Sequence, residues 1–190
     1  MVPVSNTITT RVGEELEEGD DKWIGNLAAP NGSVYGIPRD ASYVVKFNPV
    51  DKSTTHIGPN FTNDIMNDEY KWYKGAITPS GIIYCPPCDA ERGILKIDTN
   101  TDTVTELDRN ILPERGFDNL WTTCAVALDG CIYFMPAAAR RIMKLDPNNG
   151  DAMSCVGDDL GDGWKKYIGT VVGIDGCVYG IPPNSSRILT

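Results

Sequence analysis

One histidine, His56, stands in the whole chain of 190 residues. A Ser-His-Asp or Cys-His set would have to be built on it, and a site made of several imidazoles is excluded. Its neighbours Thr54, Thr55 and Ile57 read as an outer strand, so His56 is expected to be structural. Bases are also scarce, with 17 Lys and Arg against 26 Asp and Glu and a formal net charge of −9. Nucleic acid and anionic membranes demand a clustered positive face, so neither is expected as a partner. No apolar run is long enough for membrane insertion. Met1–Thr10 shows no basic region followed by an apolar stretch, so no signal peptide is visible and the compartment stays open. Six cysteines form no recognisable framework. Cys85-Pro-Pro-Cys88 is the lone Cys-x-x-Cys, and zinc would need a second pair. Cys131 and Cys177 hold one repeat slot and read as a small buried hydrophobe.

What the chain does have is repetition. Asn31-Gly32-Ser-Val-Tyr35-Gly-Ile-Pro38, Ser80-Gly81-Ile-Ile-Tyr84-Cys-Pro-Pro87, Asp129-Gly130-Cys-Ile-Tyr133-Phe-Met-Pro136 and Asp175-Gly176-Cys-Val-Tyr179-Gly-Ile-Pro182 are four versions of one phrase. Their glycines step by 49, 49 and 46 residues, a period typical of stacked supersecondary units. Asn-Gly or Asp-Gly between two strand-like runs predicts a type I′ hairpin, with positive φ at both central positions. Downstream, Lys46, Lys96 and Lys144 each sit in an apolar-Lys-apolar strand, and a fourth strand follows at Ser53–Ile57, Thr103–Leu107 and Ala152–Val156. An aromatic, Trp23, Trp72, Trp121 or Tyr167, precedes each turn glycine by nine residues and is expected to pack between units. Four short antiparallel strands per unit make a propeller blade.

The phrase Gly-x-(Ile/Val)-Tyr-x-x-Pro, followed by apolar-Lys-apolar-(Asp/Asn), resembles the repeats of uncharacterised β-propellers abundant in algal and protist proteins. The resemblance covers residues 5–190 and implies the fold and a binding-platform role. Kelch repeats are similar in length only, and WD40 and haemopexin-like motifs are missing. The expected architecture is one all-β domain over 1–190, a four-bladed β-propeller of four-stranded antiparallel blades. Its repeats run about 23–71, 72–120, 121–166 and 167–190 plus 1–22. The last repeat lacks a fourth strand, and Ser5–Val12 is expected to supply it, closing the ring and removing two sheet edges. The alternatives are half of an eight-bladed ring completed by a second chain, and a fragment of a longer array. Monomer and homodimer both remain open.

No catalytic constellation stands out, so a non-enzymatic scaffold or binding module making protein–protein contacts is the leading expectation. The loops between strands two and three and those between blades should share one face. That face would carry Arg39, Arg92, Arg140, Arg141 and Arg187 with Tyr43, opposite acidic interblade loops that include Asp64, Asp68 and Glu69. Arginines and aromatics near one rim suit an interface hot spot. Trp164 breaks the repeat register and is the best exposed aromatic. Aromatics and carboxylates could equally serve a lectin-like carbohydrate site, and paired acids a glycan hydrolase or lyase. Asp158, Asp159 and Asp162 are weak candidates for Ca²⁺, though their spacing is not an EF-hand loop. An axial ion is conceivable by analogy with haemopexin-like rings. No cofactor is otherwise expected. Asn31, Asn60 and Asn184 fit the glycosylation tripeptide, which alone does not establish secretion.

Overall fold

The structure is a computed structural model that describes residues 10–61, 70–88, 91–114 and 118–190. Antiparallel strands build four units in chain order. Blade 1 contains β1 (Trp23–Ala28), β2 (Val34–Pro38), β3 (Val44–Phe47) and β4 (Thr54–Ile57); blade 2 contains β5 (Ala76–Ile77), β6 (Ile82–Cys85), β7 (Leu95–Asp98) and β8 (Thr103–Glu106). Blade 3 contains β9 (Trp121–Val126), β10 (Ile132–Pro136), β11 (Ile142–Asp146) and β12 (Ala152–Val156), and blade 4 contains β13 (Gly169–Val172) and β14 (Val178–Ile181). Each of the first three is a four-stranded meander in sequence order. Blade 4 is a two-stranded hairpin to which Leu189 adds a single bridge with Gly180. Among the described residues no helix is long and apolar enough to cross a membrane.

The hairpin turn differs from the type I′ expectation. The glycine alone has positive φ, at 86°, 86°, 79° and 80° for Gly32, Gly81, Gly130 and Gly176. Its amide donates to the residue three back, as Gly32 N to Ala29 O at 2.9 Å and Gly130 N to Ala127 O at 3.0 Å. This is a type I turn followed by a left-handed glycine in a bulge, a three-residue loop. Asn31, Asp129 and Asp175 stabilise it by accepting the amide two residues on, at 2.9, 3.0 and 3.1 Å. Their side chains satisfy the turn without entering the left-handed region themselves.

Blades stack face to face, each far face on the near face of the next. The core has three parts, one per junction. Tyr35, Ile37 and Val44 of blade 1 meet Trp72, Ile83, Leu95 and Ile97 of blade 2. Tyr84 and Ile94 meet Trp121, Ile132, Phe134, Met143 and Leu145, and Met135 and Ile142 meet Tyr167 and Val178. The repeated aromatic therefore packs between blades, fully buried at Trp72 and Trp121. It is also latched to its own blade. Trp23, Trp72 and Trp121 donate Nε1–H to the Tyr43, Gly93 and Arg141 carbonyls at 2.9, 2.9 and 3.0 Å, and Tyr167 Oη to Arg187 O at 3.1 Å. A buried indole needs such a partner.

The motif tyrosine and lysine do a second job. Tyr35 Oη and Lys46 Nζ hold the two carboxylate oxygens of Asp102, in the β7–β8 turn of blade 2, at 2.9 and 2.6 Å. Tyr84 Oη at 2.6 Å and Lys96 Nζ hold Asp151 of blade 3 in the same way. Both aspartates are left-handed, with φ 57° and 62°. Residues 167–190 contain no counterpart of that turn. Tyr133 and Lys144 use their own hairpin's Asp129 instead, at 2.9 and 3.1 Å, and Tyr179 uses Asp175 at 2.5 Å.

No sheet joins blade 4 to blade 1 among the described residues. Of the segment expected to close the ring, residues 5–9 lie outside the described residues, and Thr10–Val12 form no strand. The chain from Gly13 runs beside blade 1, where Glu14 N reaches Thr54 Oγ1 at 3.4 Å and Ser42 N donates to Glu17 Oε1 at 3.1 Å. Cys131 is buried, but Cys177, expected to be buried in the equivalent slot, is exposed.

Candidate functional site

The loops between strands two and three and those between blades do share one end of the molecule, joined by backbone hydrogen bonds across every junction. Lys71 N donates to Arg39 O at 2.9 Å, Asn119 N to Cys88 O at 2.7 Å and Lys166 N to Ala137 O at 3.0 Å. At this end the first strands of blades 1 and 3 and the segments leading into those of blades 2 and 4 line a cavity of about 510 Å³.

Its lining follows the repeat. The two residues after each latch aromatic contribute Ile24 and Gly25, Tyr73 and Lys74, Thr122 and Thr123, and Ile168 from blade 4. The residue two before it contributes Tyr70, Asn119 and Lys165, and Trp164 and Ala137 complete the wall. The position two before the aromatic is left-handed in every blade: Asp21, Tyr70, Asn119 and Lys165 have φ of 45°, 63°, 54° and 52°. Asn and Asp tolerate that region; a tyrosine or lysine there costs of order 1–2 kcal/mol. Such strain is retained where surroundings over-determine it, commonly at binding sites. The surroundings here are visible: Tyr70 N donates to Asp40 Oδ1 at 2.7 Å, and the next amide is the interblade bond of Lys71.

Among the described residues the wall is aromatic and cationic, with Tyr70, Tyr73, Trp164, Lys74 and Lys165 and no carboxylate. Trp164 is 52% exposed. Arg39 lies with its guanidinium carbon 3.9 Å from the Tyr70 ring centre, a close cation–π contact, while pairing with Asp21. Burial pushes the Tyr73 hydroxyl pKa up. Behind the wall Lys166 is buried, its Nζ donating to Ala138 O and Gly163 O at 3.2 Å each, and burial lowers its pKa. A mouth of this kind suits a planar or anionic group, which it can stack on and neutralise.

Of the residues singled out in the sequence, Trp164 lines this cavity and Arg39 borders it. The others go elsewhere. Arg92 was expected on the rim and is buried at 5% exposure: it bonds Phe61 O at 2.7 Å and Glu106 at 3.2 Å, and lies over Trp72. It is a packing residue of the first junction. Tyr43 stacks on His56 at 5.4 Å, on blade 1. Arg140 is exposed and engaged by Asp159 at 3.0 Å and Asp162 at 2.7 Å. Arg141 and Arg187 are exposed, their backbone carbonyls serving as latch acceptors.

Asp159 and Asp162 thus face an arginine rather than a common ion, and the Gly161 amide and Arg140 hold the Asp159 carboxyl below its usual range. A general acid needs the opposite shift. Asp158 is exposed, and Asp64, Asp68 and Glu69 lie outside the described residues. No group of three His, Cys, Asp or Glu is gathered among the described residues. Burial drives the Cys85 thiol pKa well up, the opposite of what a reactive thiolate needs. Sequence reasoning missed Tyr70, Tyr73, Lys74 and Lys165. The available signal was their fixed offset from the latch aromatic.

No family model and no curated relative matches the chain. Solved structures do. The chain is similar to a catalytically inactive virginiamycin B lyase from Staphylococcus aureus bound to quinupristin, at 15% identity and TM-score 0.68, covering 92% of this chain and 53% of that one. It is similar to Kuenenia stuttgartiensis hydrazine synthase at 14% identity and TM-score 0.61, covering 96% and 47%. An auxiliary nutrient binding protein from Bacteroides thetaiotaomicron aligns at 11% identity and TM-score 0.59, over 87% and 37%. At these identities the likeness shows the fold alone, an all-β, propeller-like array. The chain spans about half the length of the first two.

Proposed function

We propose that the chain is a non-enzymatic binding module whose axial mouth takes an acidic, aromatic-bearing segment of another protein. The reading rests on one observation. Tyr70, Asn119 and Lys165 are held in left-handed backbone at the same repeat position, and all three face one cavity. Two lysines with no acid among the described lining residues, in a chain of net charge −9, favour an anionic ligand at that point. Tyr70, Tyr73 and Trp164 supply rigid anchors of the type that dominates interface energetics.

Selection from a randomised synthetic peptide library tests this. Bound peptides are expected to be enriched in Asp, Glu and aromatics, and Lys74→Ala with Lys165→Ala to weaken them ~10-fold or more. Arg140→Ala with Arg141→Ala reports whether the outer rim contributes. Peptides that bind all of these variants equally would overturn the site.

A carbohydrate ligand is the second reading, favoured by the same aromatic rings beside Asn119, Thr122 and Thr123. Retention on a glycan panel, lost with Trp164→Ala and without peptide enrichment, would select it.

A further inference from the structure

The far face of blade 4 is the continuation of an interface that the molecule already uses three times. Val171, Ile181 and Ile188 occupy the repeat positions of Ala125, Met135 and Ile142, which pack against blade 4. In blade 4 the same positions are 54%, 48% and 62% exposed. At the other end, Val34, Val45 and Phe47 occupy the positions of Ile132, Met143 and Leu145, which receive the preceding blade. There Val45 is buried at 9% exposure and Val34, Phe47 and Trp23 are half-buried, whereas Trp72 and Trp121 are fully buried.

The polar staple is divided between the two ends. The interior staples join a tyrosine and lysine of one blade to an aspartate of the next. Blade 4 carries Tyr179 with Asp175, and Thr190 stands in the lysine position. In blade 1 the left-handed turn position of Asp102 and Asp151 is Lys52, φ 65°, whose Nζ donates to Pro49 O in the same exposed turn. One end holds the acid without its lysine and the other a lysine where the acid should be. Brought together, they make the pair with its charges exchanged.

The geometry points to a second copy of this chain as the occupant: the far face of blade 4 takes the near face of blade 1 of its partner, and the reciprocal contact closes a ring from two chains. Lys52 of each copy meets the Tyr179–Asp175 pair of the other. A head-to-tail contact that closes gives a finite ring, and one that does not gives filaments.

Light scattering on a size-exclusion column is the test. Twice 20.7 kDa is expected at about 100 µM, since interfaces of this class are held in the micromolar range or tighter. Lys52→Asp and Asp175→Lys should each weaken the dimer ~10-fold by placing like charges together, and the double exchange should restore it to within ~3-fold. Ile181→Glu should leave the single chain folded and monomeric. A mass that stays at 20.7 kDa overturns the proposal, as do open polymers or a dimer indifferent to all three single substitutions.

Discussion

Blade 3 faces two neighbours through the same repeat and is held to them differently. Toward blade 2, Tyr84 and Lys96 reach across the junction to Asp151, whose side chain is 13% exposed. Burial and that carboxylate raise the Tyr84 hydroxyl pKa far beyond a tyrosine's usual value. Toward blade 4, Tyr133 and Lys144 stay at home on Asp129, whose side chain is 44% exposed. A cavity of about 400 Å³ lined by Asp129, Tyr133, Cys177 and Thr190 stands where the turn of a full blade would fit. The residue before the turn glycine tracks this: it is neutral where the acid comes from outside, Asn31 and Ser80, and acidic where it does not, Asp129 and Asp175. A motif residue therefore specifies its bond only together with its neighbour's turn.

The comparison can be broken first at the apolar contacts. Trp121→Ala, in the junction between blades 2 and 3, should cost about 3–5 kcal/mol of unfolding free energy in urea. Val178→Ala, in the thinner junction between blades 3 and 4, should cost about 2 kcal/mol or less. Equal losses would mean that the two junctions are equally well packed.

A smaller effect is expected at the staples. Asp151→Ala strands Tyr84 and Lys96 between blades and should cost about 2–3 kcal/mol. Asp129→Ala, in a more exposed pair, should cost about 1 kcal/mol or less. A reversed order in chemical denaturation would end the distinction between staple and surface pair.

The smallest effect sharpens the comparison through pH. Burial opposes ionisation of Asp129, but the Cys131 amide, Tyr133 and Lys144 outweigh it and hold the carboxyl at about 2, below its ordinary 3.8. A lowered folded pKa gives stability that is present above the unfolded value and lost as pH falls from about 4 to about 2. Asp129→Asn should therefore lower the denaturation midpoint slightly at neutral pH and flatten its fall in that window, so that the variant converges with wild type near the acid end. An acid limb identical to wild type would show the carboxylate to be uncoupled from folding.

Much of the fold is legible in the sequence because packing repeats. Gly32, Gly81, Gly130 and Gly176 mark the hairpins, since a left-handed bend excludes most side chains, and the latch aromatics mark the junctions. Arg92 was misplaced for a physical reason: an arginine in a loop reads as solvated, and only the third dimension brings Phe61 and Glu106 to it. The cavity was hidden for the opposite reason. Tyr70, Asn119 and Lys165 share no chemistry, so their common position shows up in backbone dihedrals and not in residue type.

That series of left-handed positions has a consequence for how such a protein can change. The neighbours that fix it are backbone bonds to the adjacent loop, the Asp40 carboxylate at Tyr70 and the aromatic two residues on, none of which depends on the side chain carried at the position itself. A new specificity could be written there one blade at a time, each trial leaving the stack of sheets untouched, so that recognition and architecture are free to diverge at separate rates.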